Sequence, residues 1–206
     1  MQSIRSNNVS LFTNGTLINE NNYKTIAECC QEIQISFEGV TQEPYERIRG
    51  RGNYAKALHA IDLLKTTGIK ITLAITILPS TVDDIRENLI NFVDSFEYEN
   101  LEIRLNDDIE MTGNALTMDF TGFNKYEADK LMILLVSQLQ DRGVSKASSS
   151  GRNVRFKNCG IGTNIVIDAN GRIYPCNKFS SYYRGLGEDM VQIFEDFNEL
   201  NRKTST

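Results

Sequence analysis

Apolar and polar positions alternate in blocks along this chain, and the blocks change period. Val9–Asn14 is a short apolar run closed by Thr13-Asn14-Gly15, which predicts a strand ending in a turn. Asn19–Cys30 has helical spacing, with Tyr23, Ile26 and Ala27 on one side. Glu32–Phe37 predicts a second strand, closed by Glu38-Gly39. Asn53 is a candidate N-cap for a helix over Tyr54–Thr67, in which Ala57, Leu58, Ile61 and Leu64 recur at helical spacing and Gly68 ends the pattern. Lys70–Leu78 is almost continuously apolar, the expected signature of a parallel strand covered on both faces. Pro79 closes it. Thr81–Ser95 predicts an amphipathic helix with Ile85, Leu89, Phe92 and Val93 inward, and Asn100–Leu105 the next strand. A polar segment with Gly113 and Gly122 leads to a long helix over Lys125–Arg142, opened by the capping-box-like pair Asn124 and Glu127.

The pattern then changes. Gly143 to Asn153 is rich in Ser and Gly and reads as a linker. Beyond it, Asn164–Asp168 and Arg172–Pro175 are β-type runs separated by Ala169-Asn170-Gly171, and Asn-Gly between such runs is a strong hairpin signal. Cys159 and Cys176 flank the hairpin. Two thiolates at the ends of one ribbon are a half-set of ligands for a metal or an iron–sulfur cluster, and equally two free cysteines beside an ordinary hairpin. Val191–Asn201 reads as a last short helix. Strand–helix repeats followed by a linker and a small hairpin give an α/β fold with a parallel sheet or part of a barrel. In such folds the chemistry gathers at the carboxyl ends of the strands. Those ends carry Thr13, Asn14, Ser36, Glu38, Thr76, Arg104 and Asn106, which serve equally well as strand-terminating turn residues.

Composition narrows the function. The 206 residues carry a net charge of −5, which argues against nucleic acid as the main partner. No apolar run is long enough for a bilayer span, and the first residues lack the apolar core of a secretory signal, so the expectation is a cytoplasmic protein without a membrane partner. Four cysteines then read as thiols rather than disulfides. Cys29 and Cys30 are neighbours on a helix and point about 100° apart, which makes them poor partners for one metal; one is expected to pack inward and the other to be partly exposed. The single histidine, His59, lies in a surface helix, which disfavours a Ser–His–Asp hydrolase.

Five segments, in order, resemble the radical S-adenosylmethionine (radical SAM) superfamily, in its branch with a SPASM or twitch extension. Thr13-Asn14-Gly15-Thr16-Leu17-Ile18 is similar to the family's "TNGTLI" strand end. Gln34-Ile35-Ser36-Phe37-Glu38-Gly39 is similar to its "iSlDG" strand, with Glu for the usual Asp. Tyr45-Glu46-Arg47-Ile48-Arg49-Gly50, followed by Gly52-Asn53-Tyr54, resembles the segment that leads into the next helix. Met111-Thr112-Gly113-Asn114-Ala115 resembles the "mGra" turn, and Cys159, Gly171 and Cys176 fit the opening of the SPASM motif. The defining Cys-x-x-x-Cys-x-x-Cys, the Gly-Gly-Glu-Pro segment and the later SPASM cysteines are not in these 206 residues.

The resemblance implies a partial (β/α) TIM-like radical SAM barrel over residues 1–142, a linker over 143–153, and an incomplete SPASM- or twitch-like cluster region over 154–206. It implies that the chain is the middle and back of a longer enzyme. In that parent a reduced 4Fe–4S cluster cleaves S-adenosylmethionine to a 5′-deoxyadenosyl radical, which takes a hydrogen atom from a peptide or protein substrate. Asn14, Ser36, Glu38 and Arg49 would then line the cofactor pocket, with Arg49 toward the SAM carboxylate and Ser36 and Glu38 beside the ribose or substrate. Cys159 and Cys176 would ligate an auxiliary cluster. Unpaired sheet edges, beginning with the Val9–Asn14 strand, would favour self-association. Two other readings stand beside this one. The chain would be an inactive paralogue that binds a nucleotide or peptide at the strand ends, marked by a stable, metal-free monomer or dimer. Alternatively the hairpin would be purely structural, and replacing Cys159 and Cys176 by Ser would leave binding and spectra unchanged.

Overall fold

Four parallel strands lie side by side in chain order: β1 (Ser10–Thr13), β2 (Glu32–Phe37), β3 (Lys70–Thr76) and β4 (Leu101–Asn106). They belong to a computed structural model that describes residues 9–106, 124–144, 166–167 and 173–174. The connections carry α1 (Tyr23–Cys29) between β1 and β2, α2 (Gln42–Arg49) and α3 (Asn53–Lys65) between β2 and β3, and α4 (Val82–Asp94) between β3 and β4; α5 (Lys125–Asp141) follows β4. Backbone contacts divide the chain into one unit spanning Met1–Arg152 and a second spanning Asn153–Thr206. In the second unit β5 (Val166–Ile167) pairs antiparallel with β6 (Ile173–Tyr174), Val166 opposite Tyr174. The turn between them, Cys159, Cys176, the segment Met111–Ala115, most of the 143–153 linker and the expected helix over Val191–Asn201 lie outside the described residues.

The register gives the sheet two unlike faces. Leu11, Ile33, Ile71 and Leu101 are in one row, then Ile35, Leu73 and Ile103, then Phe37, Ile75 and Leu105. This face is packed by Ala57, Ala60, Ile61 and Leu64 of α3, Ile85, Leu89 and Phe92 of α4, and Leu131, Leu135 and Leu139 of α5. Phe37 anchors one end, its ring 5.0 Å from Tyr45 and 5.5 Å from Phe92. Each of these large side chains contributes about 1.5–3 kcal/mol by leaving water.

The opposite face carries Ser10 and Phe12 of β1, Glu32, Gln34 and Ser36 of β2, Lys70, Thr72, Ala74 and Thr76 of β3, and Glu102, Arg104 and Asn106 of β4. The third strand, expected to be covered on both faces, is covered in part on this one: Thr72 is buried, and Lys70, Ala74 and Thr76 are half-buried. β3 stops at Thr76, so Ile77 and Leu78 lie beyond it, and its even-numbered residues are polar or small. A run that looks continuously apolar by composition alternates once its strand parity is known.

Two helix starts also differ from expectation. The segment Gln42–Arg49 forms a helix of its own. Asn53 is the first residue of α3 rather than its cap; Gly52, at φ 78°, occupies the cap position, and Asn53 Nδ2 donates to the Arg49 carbonyl at 2.6 Å. Asn124 does cap α5, its Oδ1 accepting from the amides of Tyr126 at 3.1 Å and Glu127 at 3.4 Å. Asn124→Ala removes that acceptor, and a urea titration is expected to show a loss of about 1 kcal/mol.

Candidate functional site

The carboxyl ends of β1 and β2 are each built by a tight local network. After β1, Gly15 turns at φ 77° and its amide donates to Thr13 Oγ1 at 3.0 Å. A Cβ on Gly15 would stand 3.5 Å from Ile35 Cγ2 and 3.6 Å from Ala60 Cβ, so the turn sits against β2 and α3. Asn14 is exposed and spends its Oδ1 on the Thr16 amide at 3.1 Å and the Thr16 hydroxyl at 2.9 Å. It is thus an Asx-type turn residue in this state.

After β2, the buried Glu38 carboxylate meets the Arg49 guanidinium, which reaches back from the last turn of α2 and donates from Nε to Oε2 and from Nη2 to Oε1. The pair is two-pronged, the strongest form of a carboxylate–guanidinium contact. Its hydrogen bonds, then its charge, raise the Arg49 pKa further above its ordinary value against the opposing effect of burial. The Glu38 side chain is 11% exposed and that of Arg49 31%, so the carboxylate is the more committed partner.

The loop that carries Glu38 into α2 is pinned from two sides. Asp84, in the first turn of α4, accepts from the amides of Val40 at 2.7 Å and Thr41 at 3.3 Å and from the Thr41 hydroxyl at 2.5 Å. The Tyr54 hydroxyl of α3 donates to the Val40 carbonyl at 2.7 Å. Tyr45, fully buried beneath this loop, has a hydroxyl with no hydrogen-bond partner among the described residues, and burial pushes its pKa up to about 12.

Ser36 lies on the polar face, half-buried, in register with Ala74. Nearer the amino ends of the strands, Lys70 Nζ stands 2.8 Å from Glu102 Oε2 and 3.3 Å from Glu32 Oε1, and Thr72 donates its hydroxyl to Glu32. Burial acts to raise the Glu32 pKa. The hydrogen bonds from Thr72 and Lys70, with the charges of Lys70 and Arg104, outweigh it and hold the carboxyl below its ordinary value. Arg104 is exposed on the same face, and its Nη1 donates to Gln34 Oε1 at 3.1 Å.

Of the residues anticipated at the site, Glu38 and Arg49 are in contact, Ser36 is on the polar face, and Asn14 is occupied within its own turn. Asp84, Tyr45 and the Glu32–Lys70–Glu102 row were not anticipated. The row was readable in the strict alternation of Glu32-Ile33-Gln34-Ile35-Ser36-Phe37 and of Leu101-Glu102-Ile103-Arg104-Leu105-Asn106. Asp84 carried no sequence signal beyond an acidic residue in the first turn of a helix.

Cys29 is exposed and Cys30 half-buried, its thiol pKa raised by burial and then by Cys29. His59 is exposed, with Nε2 2.8 Å from Glu20 Oε1. Among the described residues no group of three or more His, Cys, Asp or Glu side chains is placed to hold a metal ion, so this region does not by itself fit a 4Fe–4S cluster. Nor is any helix among them long and apolar enough to cross a membrane.

Residues 3–93 match the sequence model of the Radical SAM superfamily. The matched residues, under half of the chain, resemble that superfamily in sequence. They include Asn14, Ser36, Glu38 and Arg49. A 72-residue stretch is 36% identical to mycofactocin maturase MftC of Mycobacterium ulcerans (strain Agy99), covering 33% of this chain and 20% of that protein. The fold is similar to that in the crystal structure of Streptococcus suis SuiB, with a TM-score of 0.64 at 13% identity over 90% of this chain and 48% of that one. The chain therefore spans about a fifth of MftC and about half of SuiB. The likeness to SuiB shows a shared α/β fold.

Proposed function

We propose that this chain provides the cofactor-facing part of the barrel, and a segment of an auxiliary-cluster region, in a radical SAM enzyme that modifies a peptide or protein. The observation that carries the reading is the two-faced parallel sheet. Within a stretch that matches that superfamily, it presents polar side chains on the face away from the helices and a rigidly held Glu38–Arg49 pair at the carboxyl edge. In such enzymes a reduced 4Fe–4S cluster and S-adenosylmethionine supply a 5′-deoxyadenosyl radical.

The residues of this chain have binding and positioning roles. Ser36 offers a hydroxyl from the polar face to the ribose or the substrate. Asp84 and Tyr54 fix the loop that presents Glu38. Arg49 holds Glu38, and with about a third of its side chain exposed it remains within reach of an entering carboxylate. Cys159 and Cys176 are the proposed ligands of the auxiliary cluster. MftC is named as a maturase, which supports a peptide-like substrate for the parent of this chain.

Anaerobic reconstitution with ferrous iron and sulfide, followed by saturation-transfer NMR with S-adenosylmethionine, tests both parts. The wild-type chain is expected to take up iron and sulfide, and Cys159→Ser with Cys176→Ser to abolish the uptake. Saturation transfer to the adenosyl protons is expected from the wild-type chain and not from Ser36→Arg, which fills the polar face. Iron uptake that survives loss of both cysteines would remove the cluster assignment. Absence of any SAM contact would remove the cofactor-facing assignment.

A further inference from the structure

Among the described residues, the charged side chains on the polar face of the sheet form an ion-paired row and one cation outside it. Toward the amino ends of the strands, Lys70 lies between Glu32 and Glu102 and engages both carboxylates. Those carboxylates are poorly accessible, with side-chain exposures of 26% and 13%. Toward the carboxyl ends, Arg104 is exposed and makes no ion pair among the described residues; its hydrogen bond there is to the neutral amide oxygen of Gln34. A guanidinium has five N–H donors in a planar fork, so most of its capacity is unused. The two acids on this face among the described residues, Glu32 and Glu102, make their ion pairs with Lys70, and the charge of Arg104 acts on Glu32 from outside that row.

The surroundings leave room for a ligand. Ala74 is directly beside Arg104 in the register and Ser36 directly beside Ala74, so the row next to the guanidinium is floored by two short side chains. Gln34 steadies the guanidinium by one edge and leaves the others open. This row lies one step from the strand ends, adjacent to Glu38, where the proposed function places the reaction.

We propose that Arg104 is the recognition residue for an acidic side chain of a peptide substrate, an Asp or Glu carboxylate laid over Ser36 and Ala74. The partner's chemistry follows from charge complementarity. The exposed group is a planar cation that matches a carboxylate through two parallel hydrogen bonds, and the nearby acids are turned into the Lys70 row. The inference rests on the reading of this face as the substrate- and cofactor-facing side, and it adds the class of residue recognised there.

The probe is a blocked heptapeptide with a central glutamate among glycines and alanines, compared with its glutamine counterpart, titrated into the full 206-residue chain at low salt and followed by NMR shift changes. The wild-type chain is expected to bind the glutamate peptide roughly tenfold more tightly, the scale of one charge-assisted contact. Arg104→Gln is expected to reduce the preference to within about twofold, and Arg104→Lys to restore part of it, since lysine keeps the charge and loses the fork. A wild-type chain without preference, or a preference that survives Arg104→Gln, overturns the proposal. Saturation transfer from S-adenosylmethionine is recorded on the same samples. If Arg104→Gln abolishes that signal while the peptides remain indistinguishable, the carboxylate served is that of the cofactor and the proposal fails. If the peptide preference is present without any SAM contact, the recognition residue stands and the cofactor-facing reading falls.

Discussion

Arg49→Ala is expected to lower the unfolding free energy by about 3 kcal/mol, because it strands a carboxylate rather than because it deletes a favourable contact. Glu38 is 9% exposed and receives hydrogen bonds from both Nε and Nη2 of Arg49. Without the guanidinium it keeps its desolvation and loses its compensation. The reverse change is milder: Glu38→Gln leaves a guanidinium with 31% of its side chain exposed, and that group turns to water. The expected order of cost is therefore Arg49→Ala above Glu38→Gln. The double change is expected to cost less than the two single losses added, since neither group is then left alone. Urea titrations of the three variants at neutral pH check this. Equal costs for the two single changes would show that Glu38 is not desolvated as the structure places it.

Much of this arrangement was legible in the order of the residues alone. β2 spans the residues its alternation predicted, Glu32–Phe37, and β4 is displaced by one residue. The Asn124 cap was readable because an Asn immediately before a long apolar-periodic run, with Glu three positions on, is the usual chemistry of a helix start. Three of the five segments behind the family resemblance, those between Thr13 and Tyr54, lie within the superfamily match. What stayed hidden depended on contacts between elements. α2 is short, half of its residues are charged, and Tyr45 is the one side chain it buries; its Pro44 falls in the first turn, where a proline breaks no helical bond. Without α2 as a helix, nothing indicates that Arg49 turns back eleven residues to Glu38. The polar face was obscured by β3, whose Thr72 and Ala74 interrupt the apolar run too gently to announce an inside and an outside. The neighbours decide it: β2 and β4 alternate cleanly, and parallel register carries their parity onto β3.

Gly39→Ala is expected to cost about 3 kcal/mol and to displace Arg49 from Glu38, although the substitution adds one methyl group. Gly39 does not occupy a positive-φ position, so its role is space. A Cβ there would stand 2.7 Å from the Tyr45 amide nitrogen, 2.9 Å from Pro44 Cβ and 3.0 Å from the Pro44 carbonyl carbon. Two of those three are backbone atoms of α2, and backbone yields only if the helix moves. The helix is tied at its other end through Arg49 to Glu38, the residue preceding Gly39, so the displacement reaches the candidate site directly. Gly52→Ala is the control. Gly52 has φ 78° with nothing within 4 Å of an added Cβ, so its cost is the strain of a left-handed residue, on the order of 1 kcal/mol. Urea titrations of the two variants separate crowding from conformational strain. The Gly39 change is expected to cost clearly more and to alter the near-ultraviolet circular dichroism of the Phe37–Tyr45–Tyr54 ring cluster, whose centroids are 5.0 and 5.4 Å apart. The Gly52 change is expected to leave that spectrum as in the wild type. Should the two costs be equal and the aromatic signal unchanged, α2 has room to retreat, and the close approach at Gly39 is not what sets the position of Glu38.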